Sequence, residues 1–150
     1  MIHYKKLTKG DDEYFIDLIG LFEDVFEMQN FKMPEQEYLR KLLSKENFLV
    51  FVALLENKVI GGLTAYTLDQ YYSTKPLVYI FDLAVKREFQ RQGIGKNLIS
   101  TINAYCKEAG VEEVFVQADL VDDYALDFYR STGGIPEDVV HFKYPLNLVY

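Results

Sequence analysis

The pattern of apolar residues over the first 43 residues predicts one strand and two helices. A weak alternation over residues 2–7 predicts an edge strand. Asp11 and Asp12 then suit the start of a helix, where carboxylates meet free N–H groups and the positive end of the dipole. One apolar face of that helix comprises Phe15, Leu18, Ile19, Phe22, Val25 and Phe26. Pro34 fits the first turn of a second, shorter helix with leucines at positions 39, 42 and 43.

The pattern changes to continuous apolar runs in the middle of the chain, which is typical of buried strands. Residues 47–55 predict a central strand that is apolar on both faces. The short loop at residues 56–58 predicts a hairpin, so that residues 58–68 form the next strand. Within that strand, Gly61 and Gly62 predict a bend or a close backbone neighbour.

Residues 77–99 combine a strand, a loop and a helix in a pattern that predicts anion binding. The strand LVYIFDLAV is apolar except for Asp82, and the charged loop KREFQRQ leads into a helix. The first-turn N–H groups of a helix have no partners within it, and the dipole favours an anion there. Gly93 and Gly95 let a ligand approach the backbone with no Cβ in the way. Gly110 is placed to end this helix.

The last third of the chain predicts another strand and helix and then a final strand. Residues 111–118 predict a strand, and Asp122 or Asp123 can cap the helix that follows, through about Ser131. A Gly-Gly-Ile-Pro run breaks this helix, and residues 138–144 predict a final strand. The order β-α-α-β-β-β-α-β-α-β predicts an α/β fold with a mixed sheet and helices on both faces. Its fourth and fifth strands should be parallel.

Length and composition predict a single globular domain over residues 1–150. Of these residues, 49% are hydrophobic and 15% aromatic, which is enough for a sizeable core. No apolar run is long enough to span a bilayer, and the first residues lack the apolar segment of a signal peptide. With one cysteine, Cys106, the sequence predicts a cytoplasmic protein without internal disulfides. The net charge of −7 argues against nucleic acid as a partner and is compatible with a cationic substrate.

The loop before the third helix carries a recognisable motif. Its sequence, Gln90-Arg91-Gln92-Gly93-Ile94-Gly95, resembles the acyl-CoA pyrophosphate loop of GCN5-related N-acetyltransferases (GNAT), Gln/Arg-x-x-Gly-x-Gly/Ala. The order of predicted elements matches that family along essentially the whole chain. Within the family the sequence looks closest to small aminoglycoside 3-N-acetyltransferases, through the segments YIFDLAV, RQGI, VQAD, Asp122-Asp123 and His141-Phe142. It departs from them at Gly133-Gly134, where one glycine is usual.

Other phosphate and metal motifs do not fit the chain. A dinucleotide-binding loop needs a third glycine and a repeated βαβ unit, and a P-loop needs Gly-Lys-Ser/Thr; the sequence has neither. It also has no cluster of Cys and His with the spacing of a zinc site.

The resemblance implies acetyl-CoA as the acetyl donor, with no metal. It implies a bulge that splays the 77–85 strand from the 111–118 strand, so that the pantetheine arm pairs with the backbone at Leu83, Ala84 and Val85. The Leu83 N–H would polarise the thioester carbonyl. The residues implied for pyrophosphate binding are Gln90, Arg91, Gln92, Gly93, Ile94, Gly95 and Lys96. Tyr129 matches the family tyrosine that contacts CoA and protonates its departing thiolate.

The resemblance implies a primary amine as acceptor, namely the 3-amino group of an aminoglycoside antibiotic, acetylated by direct attack in a ternary complex. Such an activity confers resistance to the antibiotic. Asp82, a carboxylate within an apolar strand, is costly unless it is paired or faces a wet cleft. We predict that it holds the ammonium group and takes its proton. The other predicted acceptor contacts are Glu27, Asp119, Asp122, Asp123 and His141.

Two other functions remain open. The same chemistry could act on a polyamine or on a protein or peptide amine, or the chain could be a non-catalytic acyl-CoA sensor. The presence of both Asp82 and Tyr129 disfavours a sensor. Cys106 lies on the core face of its helix with no evident base beside it, so no acetyl-cysteine intermediate is expected. The family suggests a homodimer, in which the apolar residues 146–150 could contact the partner.

Overall fold

A five-stranded sheet forms the centre of the first of two units, Met1–Gln117 and the residues from Ala118 onward. The structure is a computed structural model and describes residues 1–147. The first unit contains β1 (Ile2–Lys6), α1 (Asp12–Val25), α2 (Gln36–Leu43), β2 (Phe48–Leu55), β3 (Lys58–Leu68), β4 (Leu77–Val85), a 3₁₀ helix (Arg87–Phe89), α3 (Ile94–Glu108) and β5 (Glu113–Val116). The second unit contains α4 (Asp123–Ser131). That residues 1–150 form one domain stays a prediction.

The strands lie side by side in chain order, from β1 at one edge to β5 at the other. The pairs β1–β2, β2–β3 and β3–β4 are antiparallel, whereas β5 runs parallel to β4. A parallel neighbour needs a crossover connection, and α3 provides it. The predicted mixed α/β architecture, including the parallel fourth and fifth strands, is confirmed.

Helices cover both faces of the sheet. α1 and α2 pack on the face that carries Val50 and Val52 of β2, and together these residues form the main apolar core. Phe51 lies between them in the sequence and contacts Tyr105 of α3, with ring centroids 5.7 Å apart. Side chains along a strand alternate between faces, so α3 lies opposite α1 and α2. We call the two sides the α1/α2 face and the α3 face.

The hairpin between β2 and β3 has the predicted short turn. Glu56 and Asn57 have φ angles of 50° and 63°, which match the left-handed pair of a two-residue hairpin turn. A Cβ on Gly62 of β3 would lie 2.6 Å from Leu18 Cδ1 and 2.7 Å from the Phe51 carbonyl oxygen. The close backbone neighbour predicted for this glycine pair is therefore confirmed: β2 supplies it through the Phe51 carbonyl, and α1 adds the Leu18 side chain.

Two predicted boundaries in the first unit are wrong. α2 begins at Gln36, so Pro34 precedes this helix instead of lying in its first turn. The strand predicted over residues 111–118 is shortened to Glu113–Val116. Its pairing with β4 ends at Val116, so residues 117 and 118 are not paired with a residue of β4 in the sheet.

The predicted final strand over residues 138–144 is also wrong, because these residues form neither helix nor strand. Val139, Phe142 and Tyr144 are 70%, 77% and 84% exposed. Alternating apolar residues specify a strand only where one of its faces is buried, and here neither is. Of the tail proposed as a dimer contact, residues 148–150 lie outside the described residues. Within residues 1–147, no helix is long and apolar enough to cross a membrane.

Candidate active site

β4 contains a bulge at Phe81. Thr64 of β3 pairs with Asp82, but the next residue, Ala65, pairs with Ile80, so Phe81 is left without a partner in β3. On the other side, β5 pairs with β4 only over residues 77–80. Within residues 1–147, no strand lies beside residues 81–85 on that side. The structure thus has the expected bulge and the expected separation of β4 from β5, and we call this side of residues 81–85 the open edge.

The open edge presents backbone groups of Leu83 and Val85. Lys86 donates its N–H to the Ile60 carbonyl of β3 at 2.9 Å. Backbone groups of successive residues alternate between the two sides of a strand, so the N–H groups of Leu83 and Val85 point away from β3. Gln90 confirms this direction, because its Nε2 donates to the Val85 carbonyl at 2.9 Å. Two N–H donors therefore face the open edge.

Ala84 lies between these two residues and points the other way. By the same alternation its N–H faces β3, where it pairs with Gly62. Its side chain is 5% exposed and belongs to the core on the α1/α2 face. The structure therefore corrects the prediction that the Ala84 backbone pairs with the pantetheine arm, because Ala84 offers no polar group at the open edge.

The loop after β4 ends at the N-terminus of α3. Gly93 occupies the N-cap position with a φ of 83°, and the helix begins at Ile94. The first hydrogen bond of the helix runs from the Asn97 N–H to the Gly93 carbonyl at 3.0 Å. The N–H groups of Ile94, Gly95 and Lys96 are consequently not used within the helix. Together with the helix dipole, they favour an anion, and the binding of an anion at this place stays a prediction.

The remaining motif residues, Gln90, Arg91 and Gln92, lie in the loop before the helix. Gln90 ties it to β4 through the Val85 carbonyl, a role that the sequence did not reveal. Arg91 adopts a left-handed backbone with a φ of 63°. Gln92 donates weakly to the Glu88 carbonyl at 3.5 Å and is exposed. The two long side chains at positions 91 and 92 therefore lie at the surface beside the helix N-terminus.

The bulge also determines where Asp82 points. In a regular strand Asp82 would share a face with Ile80, which is buried on the α3 face. Instead Asp82 pairs with Thr64, which in turn pairs with Val50 of the α1/α2 core. Paired residues project to the same face, so Asp82 lies half-buried on the α1/α2 face. Burial raises the pKa of its carboxyl.

Three aromatic rings lie beside Asp82 on this face. Tyr66 and Tyr79 are paired across β3 and β4. Phe81 contacts both edge-on, with centroid distances of 5.9 Å to Tyr66 and 6.0 Å to Tyr79. Phe115 of β5 stacks on Tyr79 at 4.9 Å. We call Tyr66, Tyr79 and Phe81 the aromatic corner.

Sequence reasoning did not place Tyr66 and Phe81 beside Asp82. The pKa of the Tyr66 hydroxyl is raised, first by burial and then by Tyr38 and the Asp82 carboxylate, so these groups lie within electrostatic range. They come from β3, α2 and β4, which are far apart in the sequence. The available signal was a strand rich in aromatic residues, and this is equally typical of an ordinary core.

Glu27, a predicted acceptor contact, is engaged by an arginine. It follows α1 with a left-handed φ of 52°, and its Oε1 lies 4.0 Å from Nη2 of Arg87. The same guanidinium donates to the Asp24 carbonyl at 2.8 Å and lies 3.0 Å from the Asp24 carboxylate. The end of α1 is thus tied to the segment that leads into the loop before α3. Binding of a substrate cation by Glu27 would compete with Arg87.

In the second unit, the acidic residues form a helix start. Asp122 accepts the Ala125 N–H at 3.0 Å, so it is Asp122 and not Asp123 that caps α4. The Asp122 N–H donates to the Asp119 carbonyl at 3.0 Å. Asp119 and Asp123 are exposed, as is His141, which lies in a stretch without helix or strand. Contact of these residues with an acceptor stays a prediction.

Tyr129 lies on α4, close to the end of the helix. Its ring contacts that of Phe128 at 5.0 Å, and its carbonyl accepts the Gly134 N–H at 3.0 Å. Gly133 has a φ of 93°, and a Cβ on Gly134 would lie 2.9 Å from the Tyr129 carbonyl oxygen. Both glycines are therefore required to end this helix, which explains the extra glycine in the sequence. The approach of the Tyr129 hydroxyl to a thiolate stays a prediction.

Cys106 is buried in α3. Burial raises the pKa of its thiol to about 11, so the nucleophilic thiolate is scarce near neutral pH. Among the residues that the structure describes, no three or more His, Cys, Asp or Glu side chains are grouped so that they could hold a metal ion.

A model of the acetyltransferase (GNAT) family matches residues 15–133 of the chain. The chain belongs to this family. The match includes the open edge of β4, the loop before α3 and Tyr129, and it extends across both units. The GNAT fold expected from the sequence is confirmed.

Solved GNAT structures include a very similar one. The chain is 60% identical to an aminoglycoside acetyltransferase, meta-AAC0020, from an uncultured soil metagenomic sample in complex with sisomicin, with a TM-score of 0.96 and coverage of 97% of both chains. The aminoglycoside acetyltransferase AAC(6′)-Iy, in complex with the bisubstrate analogue CoA-S-monomethyl-acetylneamine, is 16% identical with a TM-score of 0.79. The match covers 97% of this chain and 99% of AAC(6′)-Iy. At that identity it shows the shared fold alone.

Curated GNAT relatives are more distant. Human N-acetyltransferase 8 is 30% identical over 94 residues, which are 63% of this chain. The matched region spans 41% of the human protein. The chain therefore corresponds to about two fifths of that relative's length.

Proposed function

We propose that the chain transfers the acetyl group of acetyl-CoA to a primary amine of an aminoglycoside. The observation that carries the proposal is the open edge of β4, whose two N–H donors lead toward the anion site at the start of α3. An extended, amide-bearing arm that ends in a pyrophosphate is complementary to this arrangement. The 60% identical enzyme bound to sisomicin supports an aminoglycoside as acceptor.

The donor is held mainly by backbone groups. The pyrophosphate accepts hydrogen bonds from the N–H groups of Ile94, Gly95 and Lys96, and the pantetheine arm pairs with Val85. The thioester carbonyl lies at the N–H of Leu83, which stabilises the oxyanion that develops when the amine attacks. The Leu83 N–H acts without the Leu83 side chain, so its role can be tested separately from the packing of that side chain.

Asp82 receives the acceptor. Its carboxylate lies on the strand that carries the oxyanion donor, one residue before Leu83, and faces the α1/α2 side. It attracts the ammonium group and takes its proton, directly or through a water molecule, which leaves the neutral amine that attacks. Half-burial strengthens the attraction, because less water screens the charge.

Tyr129 completes the transfer. The amine nitrogen forms a bond to the thioester carbon and loses its second proton to solvent water, and the C–S bond breaks with its electron pair on sulfur. Tyr129 then gives its phenolic proton to the CoA thiolate and recovers a proton from solvent. The position of Tyr129 on the helix after β5 in this GNAT chain supports this role.

We further propose the 3-amino group as the site of acetylation, from the resemblance of YIFDLAV, RQGI and VQAD to 3-N-acetyltransferases. Acetylation of the 6′-amino group, the position in the name of AAC(6′)-Iy, is the alternative outcome. The chain shares only the fold with that enzyme. Purified protein, sisomicin and acetyl-CoA would give the product, and two-dimensional NMR would locate its acetyl group. Acetylation at another nitrogen would overturn this assignment and leave the aminoglycoside acceptor intact.

A release assay tests the acceptor class. Free CoA thiol is measured with acetyl-CoA and, in separate reactions, aminoglycosides, linear polyamines and peptides with free N-termini. Turnover confined to aminoglycosides is expected, and expression in a susceptible bacterium should raise the inhibitory concentration of the accepted drug. Turnover with peptides or polyamines alone would contradict the proposal. Tight binding of acetyl-CoA without any turnover would favour the sensor.

A further inference from the structure

The aromatic corner is built on an exposed phenylalanine in the middle of a sheet. Phe81 is 56% exposed, although the residues on either side of it are buried or half-buried. An apolar ring in this position forgoes much of the free energy that burial would give it. A contiguous apolar patch rimmed by polar groups typically marks a binding surface, and Phe81 forms such a patch with Tyr66 and Tyr79 beside Asp82. The bulge is what leaves Phe81 without a partner in β3 and places Asp82 next to it.

The two other rings of the corner are held from behind. Tyr79 stacks on Phe115 with an interplanar angle of 13°, and its hydroxyl donates to Gln117 Oε1 at 3.2 Å. Tyr66 packs against Phe48 with centroids 5.1 Å apart. Each ring is therefore fixed by contacts outside the corner. A ligand ring can pack on this surface at a small cost in side-chain entropy.

The charge beside the corner determines which ring fits. Asp82 lies on the same face, and the whole chain carries a net charge of −7, so a cationic ligand is favoured. The aliphatic C–H groups of a saturated ring pack on aromatic rings, and ammonium groups attached to it are attracted to their faces. A saturated ring that carries amines matches both features. A linear polyamine matches the charge but fills the corner poorly.

We propose that the aromatic corner binds the sugar or aminocyclitol ring that carries the reacting amine, and so selects cyclic over linear amines. This inference rests on the proposed acetyl transfer to an aminoglycoside and names the surface that recognises its acceptor. Phe81 is a specificity-determining residue, and Tyr66 and Tyr79 are the rings against which it is positioned.

The test compares variants of Phe81 with sisomicin and with spermidine. Phe81→Leu keeps an apolar side chain and removes the ring, so kcat/KM for sisomicin should fall about tenfold, mainly through KM. Phe81→Tyr restores the ring and should return most of this loss. Any turnover of spermidine should change less than twofold, roughly, because a linear chain gains little from the ring. Tyr71→Leu removes a ring that is 97% exposed on the β3–β4 loop and should change neither substrate.

Binding measurements separate this inference from the proposed function. The dissociation constant of sisomicin is measured by calorimetry with the CoA-saturated wild type and with Phe81→Leu. If the wild type turns over no aminoglycoside, the proposed function fails, yet a weaker affinity in Phe81→Leu would still support the corner. Equal affinity in both proteins, or an equal loss of turnover for sisomicin and spermidine, would overturn the corner.

Discussion

The open edge and the α1/α2 face of β4 are built from the same residues but offer different chemistry. Along the edge, Leu83 and Val85 present backbone N–H groups, and their side chains are not involved. On the face, Phe81 and Asp82 present side chains whose direction depends on one unpaired residue. A single bulge creates both regions, because it ends the pairing with β5 and reverses the alternation of side chains.

This difference indicates how each region responds to substitution. Backbone donors persist whatever side chain is present, provided that the strand keeps its shape. A carboxylate or an aromatic ring is lost with the residue that carries it. Changes on the face should therefore alter acceptor turnover and leave donor affinity intact, whereas changes near the edge should act through backbone geometry.

Asp82→Asn should have the largest effect. The amide keeps the shape of the side chain but neither attracts an ammonium group nor accepts a proton, so kcat should fall about 100-fold or more. The dissociation constant of acetyl-CoA, measured by calorimetry, should stay within about twofold because the edge is unchanged. If the affinity for acetyl-CoA fell as much as kcat, the proposal that the open edge binds the donor and the α1/α2 face binds the acceptor would be contradicted. Asp69→Asn, which changes an exposed aspartate directly after β3, serves as the control.

The pH profile sharpens the assignment of Asp82. Burial raises the pKa of this carboxyl, and only its ionised form can act as a base. Activity should therefore be lost as the pH falls through this raised pKa, above the range of an exposed aspartate. The acid limb of kcat/KM should be absent in Asp82→Asn. An unchanged acid limb in the variant would assign the base to another group.

Tyr129→Phe should have the next largest effect, a fall in kcat of about tenfold to 100-fold. The departing thiolate is the same for every acceptor, so the loss should be similar for all amines that the wild type acetylates. Asp82→Asn, by contrast, should discriminate between acceptors according to their charge. Stopped-flow measurement of thiol release tests this. Unchanged release in Tyr129→Phe would remove this tyrosine as the acid.

The edge was largely predictable from the sequence, and the face was not. The Gly93 motif and the length of the 77–85 strand indicate a helix N-terminus after a buried strand, and the structure has both. The direction of Asp82 was not predictable, because β4 is apolar on both faces and a one-residue shift leaves no mark in such a pattern. The contact of Tyr66 with Phe81 depends on the register between β3 and β4, and this register cannot be read from the sequence.

In the C-terminal segment the sequence predicts a strand, over residues 138–144, that the structure does not have. Val139, Phe142 and Tyr144 alternate with other residues in a way that is typical of a strand, yet they bury no common face in the structure. Alternation indicates that a segment can be half-buried, but a neighbouring strand must be available to complete the ladder. The helix end predicted at Gly133 and Gly134 is confirmed, because the end of a helix depends on the backbone conformation of a few neighbouring residues.

Gly93→Ala should weaken donor binding by roughly fivefold through backbone geometry alone. A Cβ at Gly93 would meet no atom within 4 Å, but its φ of 83° strains any L side chain by about 1 kcal/mol. Relief of this strain would turn the N–H groups at the start of α3. Gly10→Ala is a matched control, because Gly10 also has a left-handed φ, 104°, and open space around it. Both variants should lose stability, and only Gly93→Ala should lose affinity for acetyl-CoA.

Leu83→Ala should have the smallest effect on function, although this residue is proposed to hold the oxyanion. Its side chain is half-buried opposite Leu63, so truncation should lower the free energy of unfolding by about 1–3 kcal/mol. Donor affinity and kcat should stay within about twofold, because the N–H is retained. Leu63→Ala, which truncates the partner on β3, should lose stability in the same way. If Leu83→Ala alone lost donor affinity, its side chain would contact the donor, and the edge would not be a purely backbone site.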